Sequence, residues 1–323
     1  MTTTNRNTST VILAPSFEIA KDSSTPAITV EAEYGDEVWE GSIYTAAHHQ
    51  AEGPFAGRHI VEGGRPSPCN DNAIPTIWCE ATQSKRGNGT IGVSHIDLDT
   101  IGGVLRAWGV PLFTPLQQGF WDLAEFVDVN GAHMLTEANP SMRDEAKLWA
   151  WWAWKEEHVG RFDPDAFTDV TELVREACRV LTALLDPDVP AEDGMDLVDK
   201  GHDLKEAQEK LSLDTFVELR KAGCVVFTRC SHQFVNHLYT VELVAGETEI
   251  AQAIVAFSPR YGSITISLAA PIEGVNCRDI VQGLWGPEAG GHPGIAGSPR
   301  GARLMLADVE AAAEAISNAI NES

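Results

Sequence analysis

The sequence predicts an α/β protein: a parallel-sheet domain, a helical connector and a smaller α+β domain at the C-terminal end. Three observations carry this. Short apolar, β-rich runs separated by glycine, proline and polar breakers fill residues 1–140, three helical segments fill 141–222, and β-rich runs return over 223–323.

In the first domain, "STVILAP", "AITVEAEYG", "EVWEGSIYTAA", "IPTIWCE" and "GTIGVSH" have the length and composition of strands. "DTIGGVLRAWG" is expected to be a short helix closing at Gly109, and "LAEFVDVNG" a further strand ending in Asp128. The connector contains "SMRDEAKLWAWWAWKEEHVG", "FTDVTELVREACRVLTALL" and "HDLKEAQEKLSLDTFVELRKAG". Their acidic starts and basic or glycine ends suit helix termini. Trp149, Trp151, Trp152 and Trp154 would cover more than one face of such a helix, so core packing is expected of them rather than base stacking. In the third domain "CVVFTRC", "HLYTVELV", "IAQAIVAFS" and "GSITISLAAP" read as strands. A helix near "CRDIVQGLW", the loop "GPEAGGHPGIAGSPRG" and a closing helix, "ARLMLADVEAAAEAISNAI", complete it.

Composition narrows the function classes. At 323 residues and 43% hydrophobic content the chain can bury a sizeable core. It has no apolar run near the ~20 residues that span a bilayer, so no membrane association is expected. The N-terminal "MTTTNRNTSTVILAPS" lacks the long apolar stretch of a signal peptide. Six scattered cysteines fit reduced thiols, and with the rest point to a cytoplasmic protein. The net charge of −24 disfavours a partner such as long nucleic acid, whose affinity comes from counterion release to basic side chains. A small anionic substrate held through metal ions remains compatible, because bound cations reverse the local field.

Two stretches carry chemistry. In "IGVSHIDLDTIGG", His95, Asp97 and Asp99 occupy alternate positions after an apolar run. If extension persists they share one face, at a strand end, where open α/β sheets hold ligands. One imidazole with two carboxylates suits Mn2+, with Mg2+ or Co2+ as substitutes. Gly102 and Gly103 would let the following turn approach the metal or a phosphate. The plainer alternative is an aspartate helix cap at Asp97 or Asp99 beside an incidental histidine. The second stretch, "GGHPGIAG", sets Gly290, Gly291, His292 and Gly294 in a glycine-rich loop with Arg300 just beyond. Backbone N–H groups and a guanidinium there would cradle an anion, although a plain surface turn has the same composition.

Together these stretches resemble the DHH phosphoesterase superfamily with its DHH-associated C-terminal domain. The resemblance implies a pair of Mn2+ ions, His95 and Asp97 on one and Asp99 on the other, with Asp128 as the bridging aspartate of a second motif. It implies substrate binding by Gly290, Gly291, His292, Gly294 and Arg300. The downstream Asp-His-His of the family is absent; "NGAHML" with His133 stands there instead. Upstream, "YTAAHHQAEGPFAG" places His48 and His49 after an apolar run, and "PSPCNDNAIP" contains Asp71. Either His49 and Asp71, with His48 as an alternative ligand, join the metal site in a reordered arrangement, with Asp128 and His49 catalytic, or His133 supplies the imidazole and the adjacent pair is structural. The implied activity is hydrolysis of phosphate esters of nucleotides or short oligonucleotides, and a homodimer is compatible with it. A non-catalytic nucleotide sensor on the same fold is the alternative. Cys230, His232 and His237 have no zinc-finger spacing, "SKRGNGTIG" lacks a phosphate-loop pattern, and no Gly-x-Ser-x-Gly elbow occurs.

Overall fold

Ile28, Val30, Ile91, Val93, Val11 and Leu13 are all essentially excluded from solvent. In register and two residues apart, they share one apolar face, and Thr29 and Gly92 on the other face are buried as well, as suits the interior of a parallel sheet. The structure, a computed structural model, describes residues 9–47, 49, 59–62, 65–68, 89–135, 137–188, 191–214, 217–221, 224–229, 240–242 and 248–323. The chain divides into two compact units, Met1–Glu33, Glu37–Glu125 and Ala146–Gly201 in the first, and Tyr34–Asp36, Phe126–Glu145 and His202–Ser323 in the second.

The first unit holds a seven-stranded sheet in the order Arg65–Pro68, His59–Glu62, Tyr44–Ala47, Ile28–Val30, Ile91–Val93, Val11–Leu13, Thr168–Asp169. The four strands from Tyr44–Ala47 to Val11–Leu13 run parallel, and the remaining pairings are antiparallel. Ile91 sits in register between Val11 and Ile28, so the carboxyl ends of the parallel strands lie side by side. The expectation of a parallel sheet thus holds for its centre, and the whole is mixed α/β.

Helix Leu98–Trp108 follows the central strand, starts at Asp97 and stops at Gly109, whose φ of 73° only glycine adopts readily. Ile101, Val104 and Leu105 are buried, and the helix packs on Ile28–Val30 and on helix Thr171–Leu185. Gly102 and Gly103 lie buried within it rather than in a turn, so they do not bring a turn to a ligand as expected.

Asp128 does not end a strand. It lies on helix Gln118–Asn130. The apolar positions Phe120, Trp121, Leu123 and Ala124 are buried at helical spacing, and the Trp121 indole donates to the Leu112 carbonyl at 2.8 Å. The segment "LAEFVDV" looks strand-like only when Phe120 and Trp121, half of that period, are left out.

Helices Met142–His158, Thr171–Leu185 and Ala191–Asp214 occupy the three helical segments. The last ends at Asp214, earlier than expected, and Val217–Lys221 is a strand of the second unit. Trp149, Trp151 and Trp154 are buried, and the rings of Trp149 with Trp152 and of Trp151 with Trp154 stand 4.9 Å apart. Core packing, not base stacking, is the use of the buried three. Gly201 permits close helix packing, since a Cβ there would lie 2.5 Å from the Ala150 nitrogen.

The second unit contains a six-stranded sheet, Val217–Lys221, Cys224–Arg229, Ala253–Ser258, Ser263–Leu268, Ile295–Gly297, Gly290–His292, with one parallel pairing, between the second and third strands. Helices Cys277–Trp285 and Asp308–Glu322 pack against it over Val255, Ile264, Ile266, Val281 and Ile316. The closing helix begins at Asp308 rather than near Ala302. The "GGHPGIAG" stretch is not a loop. Gly290–His292 and Ile295–Gly297 pair antiparallel around Pro293 and Gly294, whose carbonyls accept from Cys277 N at 2.8 Å and Leu268 N at 2.9 Å. Gly291 has φ 140°, and a Cβ there would meet Ile295 O at 2.6 Å. Among the described residues, no helix is long and apolar enough to cross a membrane.

Candidate metal centre

The parallel strands of the first unit end in polar residues at one edge, where a ligand is not crowded by the pleat. Strand Ile28–Val30 runs into Glu31, strand Tyr44–Ala47 is followed by His49, and strand Ile91–Val93 by Ser94, His95, Asp97 and Asp99.

His95, Asp97 and Asp99 do converge, but not through strand alternation. The extended chain stops at Val93, Asp97 caps the next helix and Asp99 sits in its first turn. Asp97 accepts from the Thr100 hydroxyl at 2.8 Å and from its N–H at 3.4 Å, so the aspartate cap is present as well as the cluster. His95 Nε2 contacts Asp97 Oδ2 directly. Burial works to raise the Asp97 pKa, but the charge of His95 and hydrogen bonds with Asp99 and His95 outweigh it. With Lys155 adding to these, the carboxyl is held well below the usual range.

A carboxyl depressed in the folded state stabilises the protein above its unfolded pKa of ~3.9, and that contribution disappears as the pH falls through the folded value. Asparagine keeps the cap but removes the charge. In metal-free buffer Asp97→Asn should therefore cost about 1.5–3 kcal/mol at pH 7, the scale of a hydrogen bond to a charged group. The gap to the parent protein should narrow steadily below about pH 4. Denaturant titrations from pH 7 to pH 2.5 check this, and a gap independent of pH would contradict it.

Ser94 fixes the histidine. Its hydroxyl donates to the Glu31 carbonyl, so its oxygen is left to accept from His95 Nδ1 at 2.8 Å. That assignment, made from the hydrogen-bond network, protonates Nδ1 and aims the Nε2 lone pair at the Asp97 carboxylate. Such an arrangement calls for a proton or a cation between them. Metal-binding histidines are oriented in the same way by a partner on the other ring nitrogen.

His49 is positioned by Glu33, whose two carboxylate oxygens accept from its backbone N–H at 3.0 and 3.2 Å. Its Nε2 lies 3.5 Å from Glu31 Oε2. Two groups within this unit could hold an ion: His95, Asp97 and Asp99, and Glu31, His49 and Asp99, with the ligand atoms of each group within 4.8 Å of one another. In octahedral coordination opposite donors stand about 4.2 Å apart, twice the ~2.1 Å ligand distance. Either group would close on an ion with a contraction of at most about 0.6 Å in its widest pair. The donors are imidazole nitrogen and carboxylate oxygen with no thiolate, the set that suits Mn2+ and its neighbours. Glu31 and Asp99 are also fully or almost fully buried, so a cation there would offset carboxylates that water hardly reaches. The residues present fit a divalent cation.

Glu31 and Glu33 escaped the sequence reading. Their signal was available: "AITVEAEYG" ends an apolar run with carboxylates at alternate positions, as "IGVSHIDLD" does.

The other candidates lie as follows. Asp128 and His292 belong to the second unit, where His292 Nε2 is 3.6 Å from Asp128 Oδ2. Gly290, Gly291 and Gly294 form the hairpin of the same unit, and Arg300 is exposed beyond it. Burial pushes the Tyr34 phenol far above its usual range, with Arg300 opposing and Glu288 adding to the shift. His133 falls in the short 3-10 turn Ala132–Met134. His48, Asp71, Cys230, His232, His237, "IPTIWCE" and residues 84–88 of "SKRGNGTIG" lie outside the described residues.

Fold and site together define a mixed α/β protein with a histidine–carboxylate cluster at the carboxyl ends of parallel strands. Comparison with family models, with curated proteins and with solved structures finds no match for this chain.

Proposed function

We propose that the protein is a metal-dependent phosphoesterase acting on phosphate esters of nucleotides or short oligonucleotides, with Mn2+ as its ion and Mg2+ or Co2+ as substitutes. The observation that supports this most is the convergence of His95, Asp97 and Asp99 at the carboxyl end of the central parallel strand. A divalent cation bound there supplies Lewis acidity toward a phosphoryl oxygen and acidifies a water for in-line attack at phosphorus. His95 offers Nε2, held in the correct tautomer by Ser94. Asp97 and Asp99 offer carboxylate oxygens at a helix start. The acidic chain as a whole favours small substrates over long nucleic acid. The hairpin glycines and Arg300 remain the proposed phosphate-binding groups of the second unit.

The test is hydrolysis of a chromogenic phosphodiester and a nucleotide panel in Mn2+, with metal content measured in parallel. Expected is turnover that chelator abolishes and Mn2+ restores, and that Asp97→Asn lowers together with metal content. Metal bound without turnover on any substrate would favour the nucleotide sensor. Turnover indifferent to chelator would sink the metal-dependent reading.

A further inference from the structure

We infer that residues 303–307 and the outer face of helix Asp308–Glu322 form a two-fold interface through which the protein pairs with a second copy of itself. Every residue involved belongs to the second unit.

The centre of this surface is apolar. Met305 is 66% and Leu306 57% exposed, and among the described residues they are the two large exposed apolar side chains that are adjacent in the chain. A well-bonded turn holds them out. The Met305 N–H donates to Asp308 Oδ2 at 2.7 Å, the Asp308 N–H to Met305 O at 2.9 Å and the Val309 N–H to Leu306 O at 3.2 Å. On the other side the Leu304 N–H donates to Gly262 O at 2.8 Å, and Leu304 packs on the core of the unit. Val309, Ala312, Ala313 and Ile316 turn the inner face of the helix into that core, which leaves Glu310, Ala311 and Glu314 outward. Ala307 and Ala311 are exposed one helical turn apart, so a partner can approach closely there.

Charges of opposite sign flank the apolar pair. Residues 251–272 and 289–307 contain no aspartate or glutamate in a chain with 47 of them, yet hold Arg260, Arg300 and Arg303. Arg303 is exposed, and so is Arg260, whose guanidinium lies 5.4 Å from the centre of the Tyr261 ring. The bond between Leu304 and Gly262 brings these two segments side by side. Beyond Met305 and Leu306 stand Glu310 and Glu314, on one face of the helix. A two-fold axis at Met305 and Leu306 would lay each apolar pair on its twin. It would also set Arg303 of one copy against Glu310 and Glu314 of the other, the self-complementarity that an isologous contact requires. Elsewhere two chains of net charge −24 repel, so approach costs least on the side that carries the arginines. Two large apolar side chains per copy make a small interface, near the ~1,200 Å² lower end of stable ones, and micromolar affinity is expected.

The experiment is sedimentation of the metal-free, full-length protein over a concentration series, so its outcome does not depend on the metal-dependent reading. A monomer–dimer equilibrium with a micromolar Kd is expected of the parent protein. Leu306→Asp should leave only monomer, because it buries two like charges at the axis. Arg303→Glu should raise Kd at least about tenfold by setting glutamate against glutamate. Adding Glu310→Arg and Glu314→Arg to that variant should restore the parental Kd, since the exchanged charges again meet their opposites. Should Leu306→Asp misfold, the charge exchange decides by itself, all of its positions being exposed. A parent protein that stays monomeric throughout the series would overturn the inference. So would a dimer unaffected by Arg303→Glu, or a loss on Arg303→Glu that the charge exchange does not restore.

Discussion

Asp99→Asn should abolish high-affinity Mn2+ binding and lower turnover by a factor of about 10^3 or more, or ~4 kcal/mol of transition-state stabilisation. The reason is position. Asp99 is the residue common to both ligand groups, and it is almost fully buried in the first turn of the helix that Asp97 caps. Asparagine preserves shape and helix start but removes the charge that both positions share. Parent protein saturated with metal at 100 times its Kd gains about 2.7 kcal/mol of stability by linkage, and Asp99→Asn should lose that gain. Metal-free, the variant's amide can still donate to Asp97 in place of Asp99, so its stability should stay within about 1.5 kcal/mol of the parent. A metal-free loss as large as a core truncation, roughly 2–5 kcal/mol, would make Asp99 a structural residue. Melting temperatures with chelator and with Mn2+, beside steady-state kinetics, separate the two.

The second large effect is on stability. Gly35→Ala should destabilise the second unit by about 3 kcal/mol or more, from overpacking combined with the left-handed penalty. Gly35 has φ 63°, and a Cβ there would stand 1.7 Å from the Pro287 carbonyl oxygen and 2.8 Å from its carbon. Backbone cannot swing aside as a side-chain end would. The segment Tyr34–Asp36 is pinned at this point: Asp36 N donates to Pro287 O at 3.3 Å, and the Arg278 guanidinium donates to Gly35 O at 3.1 Å and Asp36 Oδ1 at 2.6 Å. Gly286→Ala is the control. It also has positive φ, at 92° with ψ 178°, but open space around the new methyl, so only the conformational penalty of about 1–3 kcal/mol applies. Denaturant unfolding of both variants measures the difference. Equal losses would show that the Pro287 contact relaxes without cost.

The residues that the sequence makes legible are those whose meaning is local. Apolar runs such as "VIL", "ITV" and "IGV" specify buried strands wherever they end up, because their first and third residues line one apolar face. Helical period, acidic starts and glycine stops mark Leu98–Trp108 and Met142–His158 in the same way. His95, Asp97 and Asp99 were visible as a group because five consecutive positions hold them together in any compact turn. Their mode of convergence was not visible, since extension ends at Val93 and a helix takes over. The pairing of Glu31 with His49, the left-handed turn at Glu31 and the relay through Ser94 depend on strand order. That order sets Ile28–Val30 between Tyr44–Ala47 and Ile91–Val93. Nothing local encodes it: strand order is decided by which apolar faces bury best together over the whole sheet. The hairpin at Gly290–Gly297 carries the same lesson, its glycine-rich composition fitting a loop and a tight ladder equally until Ser263–Leu268 offers an edge to pair with. By itself the sequence determined which residues are chemically able to bind a cation. Tertiary structure decided which of them meet, because burial of a shared sheet, rather than proximity along the chain, brings distant carboxylates within a few ångströms.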